Sequence, residues 1–199
     1  MIAKGGRAFV GLSVLAMGIT FPFSIVAAII FAGLTVFLVL VFRDPGRQVG
    51  KGIVSPADGT VREVDQEKGL VSIYLALRNV HVTRAPVQGR IESIKRSPGT
   101  HAPAFSRKTM GNERAELTLD SGLGRITVVE MTGAIARRIV LYVGDGDSLE
   151  KGQKLGLIRF GSRVDLFLPP GVTKISAAKG MRVRAGVTTI AEVEDGSME

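Results

Sequence analysis

The chain has 199 residues, 25 of them glycine, and carries 26 basic against 18 acidic side chains for a net charge of +8. It has no cysteine and only two histidines, His81 and His101, so disulfides, thiolate catalysis and thiolate or histidine-rich metal centres are excluded and no metal site is expected. Lys4 and Arg7 are the only charges before Arg43, which leaves 24 basic against 18 acidic residues after it, near +6, a surface suited to an anionic partner.

From Ala8 to Phe42 there is no charged residue over 35 positions. One helix of that length would reach roughly 52 Å, against a bilayer core of about 30 Å. Either one span continues as an interfacial helix, or Pro22 divides the segment into a helical hairpin with arms of about 17 residues. Lys4 and Arg7 precede the segment, and Arg43, Arg47 and Lys51 follow it. The positive-inside rule then places both flanks in the cytosol and favours a hairpin or re-entrant loop. A removable signal peptide would have a shorter apolar region and a small-x-small site. Residues 1–42 therefore read as an α-helical membrane anchor, and residues 43–199 as a domain on the cytoplasmic side of the cell membrane. Anionic lipid is a simpler partner than nucleic acid, since there is no tryptophan, RNP-type motif or zinc finger.

Past Phe42 the texture becomes that of a mainly β domain. The expected strands are Thr60–Val64, Leu70–Leu77, Arg90–Lys95, Ala115–Leu119, Arg125–Met131, Arg138–Val143, Lys154–Phe160, Arg163–Leu168 and Thr188–Val193. Val61-Arg62-Glu63-Val64 and Arg90-Ile91-Glu92-Ser93-Ile94 show the apolar–polar alternation of half-buried strands. Asp145-Gly146-Asp147 through Gly152-Gln153-Lys154-Leu155-Gly156 resembles the turn of biotinyl and lipoyl domains, and Asp58-Gly59 before Val61 looks like the matching first hairpin. That resemblance implies a barrel-sandwich fold. Exposed sheet edges would suit a homodimer.

Five segments in order resemble the phosphatidylserine decarboxylase family, in particular its short form, which includes archaetidylserine decarboxylases. They are Phe42-Arg43-Asp44-Pro45, Ser55-Pro56-Ala57-Asp58-Gly59, and Val80-His81-Val82-Thr83-Arg84-Ala85-Pro86. Asn112-Glu113-Arg114 follows, with Gly133-Ala134-Ile135-Ala136-Arg137-Arg138-Ile139-Val140, and then Phe160-Gly161-Ser162-Arg163-Val164-Asp165. The resemblance implies a proenzyme that cuts itself between Gly161 and Ser162 into a β chain, 1–161, and an α chain, 162–199. Ser162 would become a pyruvoyl cofactor. The amine of a serine phospholipid, phosphatidylserine or archaetidylserine, would form a Schiff base with it, lose carbon dioxide and leave as the ethanolamine lipid.

Residue chemistry is consistent with those roles. Gly161 lets a hydroxyl approach its carbonyl, and Ser162 supplies that hydroxyl but needs a base. A histidine titrates near neutrality, so His81 is the expected base and later proton donor. Asp58 is expected to orient His81, in the manner of a Ser-His-Asp set. Arg137, Arg138 and Arg84 are the expected binders of phosphate or carboxylate. Arg84 stands where many longer family members carry a second histidine; if that histidine is the cutting base there, either His81 serves both cutting and decarboxylation here or Arg84 changes the mechanism. His101, in a Pro/Gly-rich loop, reads as solvated in preference to lying near a lipid entrance. Two rival readings are a membrane-tethered biotinyl-like adaptor without catalysis and a basic nucleic-acid-binding barrel. The adaptor predicts an uncut chain and, if biotinyl-like, an attachment lysine; Lys154 lacks the usual Met-Lys-Met setting.

Overall fold

The computed structural model of the chain describes residues 1–100, 111–133, 138–159, 161–171 and 173–193. It divides into two units, Met1–Gly46 and Arg47–Glu199.

The first unit is a helical hairpin. A 3-10 turn, Lys4–Gly6, leads into α1 (Arg7–Thr20), and α2 (Ile25–Val41) returns beside it. The break falls at Pro22, as the sequence predicts, because proline cannot continue a helical hydrogen-bond ladder. Ser24 then caps α2 by accepting from the Ala27 amide at 3.3 Å. Thr35 donates to Ser13 across the pair at 3.0 Å. Ala3 N donates to Phe42 O at 2.8 Å, closing the open end of the hairpin. The arms hold 14 and 17 residues, so the first is shorter than expected and a single continuous helix is not formed. No described helix is long and apolar enough to cross a membrane. Apolar side chains including Leu12, Ile19, Phe23, Ile29 and Ile30 nevertheless face outward.

The second unit is mainly β. Its strands are β1 (Ile53–Val54), β2 (Gly59–Asp65), β3 (Leu70–Leu75), β4 (Val82–Arg84), β5 (Gly89–Ser97), β6 (Arg114–Ser121) and β7 (Gly124–Thr132). They continue as β8 (Ile139–Leu141), β9 (Ser148–Leu149), β10 (Lys154–Ile158), β11 (Ser162–Phe167), β12 (Thr173–Ile175), β13 (Arg182–Val183) and β14 (Thr189–Val193). Eight form one sheet in the order β13-β2-β3-β11-β7-β6-β5-β9, and two three-stranded sheets run β1-β14-β12 and β4-β10-β8. Each of the nine expected strands has a counterpart within a few residues, with Phe160 outside the described residues. Five short strands, β1, β4, β9, β12 and β13, were not expected.

Burial follows position in the sheet. β6 alternates in burial along Ala115, Leu117 and Leu119, whereas β3 and β11, towards the middle, are buried almost throughout. A bulge in β2 between Val61 and Glu63 puts the Arg62 guanidinium 5.0 Å from the centre of the Tyr74 ring. Gly59 is required by packing as well as by a turn: a Cβ there would lie 2.2 Å from the Tyr74 carbonyl oxygen.

Candidate active site

β11 begins at Ser162 and runs between β3 and β7, so Ser162 is paired with Leu75 on one side and Thr132 on the other. Its side chain is fully buried, and its Oγ has no hydrogen-bond partner among the described residues. A buried hydroxyl without a partner is costly, and such a group in a native fold calls for a functional explanation. Gly161 sits just before it with φ of +55° and open space where a Cβ would project. Backbone conformation, not crowding, therefore favours glycine here.

His81 meets this point from the loop between β3 and β4. Its Nε2 accepts the Gly161 amide proton at 3.1 Å, and its own carbonyl accepts from Ile158 N at 3.1 Å. The ring is thus held beside the Gly161–Ser162 bond by Gly161, 80 positions away. Asn112 fixes the neighbouring strand end, donating through Nδ2 to Thr132 O at 2.7 Å. Arg163 and Asp165 bond to each other at 2.7 Å. They alternate with Ser162 and Val164, so that pair braces the opposite face of β11.

Asp58 has different partners from the one expected. Its carboxylate pairs with both terminal nitrogens of Arg47, the Nη2–Oδ2 distance being 2.9 Å, and Oδ1 accepts from Ala185 N at 2.8 Å. The Arg47 side chain is only 3% exposed, which makes this a buried ion pair joining the start of the domain to the segment after β13. The described hydrogen bonds of Asp58 therefore run to Arg47 and Ala185 rather than to His81. Arg84 is also buried, with Nη1 donating to Gly152 O at 3.0 Å. Arg138 is exposed. Arg137 and His101 lie outside the described residues. Among the described residues no three His, Asp or Glu side chains gather to hold a metal ion.

Two features escape the strand-level reading. A cleft of about 520 Å³ is lined by Arg62, Arg78, Arg182 and Arg184, with Asp58 and Tyr74 also in its wall. Its Ala76 directly follows Leu75, the register partner of Ser162, and Asn79 comes three residues later. Sequence order gives no signal for this cluster, because its arginines come from three separate segments. The second is Glu130 on β7, fully buried. Its Oε1 accepts from Thr83 Oγ1 at 2.5 Å, and its Oε2 has no partner among the described residues. Burial pushes its carboxyl up to about 7, against the Thr83 hydrogen bond and the charge of Arg96, which pull it down. Alternation could have found Glu130: it falls in phase with Ile126 and Val128, the apolar face of its strand.

The phosphatidylserine decarboxylase family profile matches residues 34–191. The chain belongs to this family. It is 44% identical over 177 residues to the Methanosarcina acetivorans protein named as an archaetidylserine decarboxylase proenzyme, covering 87% of this chain and 84% of that one. A phosphatidylserine decarboxylase proenzyme of Streptomyces coelicolor is 46% identical over 153 residues, 75% of this chain and 70% of the relative. An Archaeoglobus fulgidus protein, also named as an archaetidylserine decarboxylase proenzyme, is 37% identical over 188 residues and 94% of both chains. Family membership removes the reason for preferring the adaptor or nucleic-acid readings.

Proposed function

We propose that the chain is a self-cutting decarboxylase of serine phospholipids, phosphatidylserine or archaetidylserine, whose cofactor is a pyruvoyl group made from Ser162. The observation that carries this reading is the buried Oγ of Ser162, without a partner among the described residues, directly after a left-handed Gly161 whose amide is held by His81. These residues fit the cofactor: a hydroxyl on the β-carbon, adjacent to a carbonyl whose glycine offers no Cβ. Ser162 Oγ bonds to the Gly161 carbonyl carbon as the Gly161–Ser162 C–N bond breaks, giving an ester. Loss of the Ser162 α-proton then expels the Gly161 carboxylate and divides the chain into 1–161 and 162–199, and water hydrolyses the resulting imine to the pyruvoyl group and ammonia. The pyruvoyl group supplies an electron sink for loss of carbon dioxide.

His81, already beside the bond, is positioned to hold or return a proton there. Asp58, in the wall of the arginine cleft, acts through the fold by pairing with Arg47. That cleft receives the lipid phosphate, since its guanidinium groups outnumber the single carboxylate, which Arg47 already neutralises. Arg138, exposed just before β8, adds positive charge for the anionic membrane surface. The pairing of β4 with β10, closed by Ala85 N on Gln153 O and Gly152 N on Ala85 O at 2.8 and 2.9 Å, supports a barrel-sandwich arrangement of the small sheets. The hairpin of α1 and α2, apolar on its outer faces, enters one leaflet and holds the domain at the cytoplasmic side of the cell membrane.

The test is carbon dioxide release from a phosphoserine lipid in mixed micelles, compared with free serine. Turnover of the lipid with little release from free serine is expected, and Arg182→Ala with Arg184→Ala should raise KM. Equal turnover of free serine would sink the lipid assignment.

A further inference from the structure

The eight-stranded sheet sets Glu130 in a cross-strand row that runs Arg96, Ala115, Glu130, Val164, Ile73 and Val61 from β5 to β2. Residues opposite one another across an antiparallel ladder share a face. Ala115, Val164, Ile73 and Val61 are all buried, so this is the core face. The adjacent row on the same face holds Leu75, Ser162 and Thr132. Glu130 and Ser162 are therefore diagonal neighbours on adjacent strands, a separation of about 7–8 Å that a long side chain can bridge.

Each of the two carries a buried oxygen without a partner among the described residues, Glu130 Oε2 and Ser162 Oγ. Thr83 holds the other carboxylate oxygen from β4. His81 Nε2, meanwhile, spends its acceptor on the Gly161 amide, and a neutral imidazole has only one acceptor nitrogen. A carboxyl in the middle of an apolar face costs stability. Among the described groups of the row, Arg96 is the one charge. β11 adds Ser162, and β4 adds Thr83 with His81 two residues before it.

Resting on the self-cutting reading, we propose that Glu130 is the base that takes the Ser162 hydroxyl proton when the chain cuts itself. The Oγ–H bond breaks and its proton passes to Glu130 Oε2. Oγ bonds to the Gly161 carbonyl carbon, and the carbonyl pair moves onto its oxygen. When that pair returns, the Gly161–Ser162 C–N bond breaks and the nitrogen takes up the proton from Glu130. The products are an ester and a free amine, with no change in oxidation state. A carboxyl that titrates near neutrality suits both the taking and the giving.

The test follows cutting of freshly synthesised full-length chain by denaturing electrophoresis between pH 5.5 and 8.5, in the wild type and in Ser162→Ala, Glu130→Gln and Thr83→Val. Glu130→Gln keeps size and hydrogen-bonding capacity, so it should fold by circular dichroism yet cut at least about 100-fold more slowly. Thr83→Val is nearly isosteric and removes a hydrogen bond that favours the ionised carboxyl, so its pH–rate midpoint should move upward. Glu130→Gln cutting within threefold of wild type, or an unmoved midpoint in Thr83→Val, would overturn the role of Glu130 while leaving self-cutting intact. Should Glu130→Gln fail to fold, the Thr83→Val midpoint decides alone. Cutting in Ser162→Ala, or none in the wild type, would instead remove the reading on which the role rests.

Discussion

Replacing Glu130 by glutamine should stabilise the folded chain, and only above acid pH. The carboxyl moves from an ordinary 4.5 to about 7 on folding because burial disfavours its charge. Between those values the folded chain keeps a proton that the unfolded chain has lost. Stability therefore falls as pH rises through that window. At about 1.4 kcal/mol per pH unit, the penalty reaches about 3 kcal/mol above pH 7. Glutamine does not titrate and retains a partner for Thr83. Urea unfolding of full-length chain in non-ionic detergent, with Ser162→Ala in both versions to keep the chain uncut, reads this directly. The glutamine version should unfold about 1–2 M urea later at pH 8, for a slope of about 2 kcal/mol/M, and the gap should close towards pH 4.5. A gap that does not change with pH would refute the assignment of a raised carboxyl. The gain would sit beside a loss of cutting, the trade expected where a destabilising group is kept for chemistry.

Asp58→Ala should destabilise the domain by about 3–5 kcal/mol in the same assay, because it leaves the buried Arg47 guanidinium uncompensated; a loss under about 1 kcal/mol would mean the pair is not buried in solution. Gly161→Ala should cost about 1–2 kcal/mol, the price of a left-handed alanine, and slow cutting measured by electrophoresis; unchanged cutting would show that the bond does not need this backbone conformation. Deleting residues 1–41 should leave a folded, self-cutting domain with reduced turnover of lipid in vesicles, since the core lies in Arg47–Glu199; failure to fold would make the hairpin part of the core.

The long strands were legible because alternation survives where one face is buried, as along Ala115, Leu117 and Leu119. The short strands were not: β1, β9 and β13 hold two residues each, too few to show a period, and they exist through partners distant in sequence. The meeting of His81 with Gly161 spans 80 residues, and only the family resemblance anticipated it. The partners of Asp58 were not legible in the sequence. A conspicuous Asp-Gly turn suggested a partner for His81, while the carboxylate is committed to Arg47, a residue that had looked like a membrane-flanking charge. Glu130 was legible in principle, because its phase with Ile126 and Val128 puts it on the apolar face of β7.

The intact mass of the carboxy-terminal fragment tests the central claim most directly. Purified wild-type chain should yield a 38-residue piece, Ser162 to Glu199, lighter than the encoded peptide by one ammonia and blocked to Edman degradation, while Ser162→Ala stays a single chain. A fragment beginning with a free amino-terminal serine, or efficient cutting in Ser162→Ala, would contradict the account.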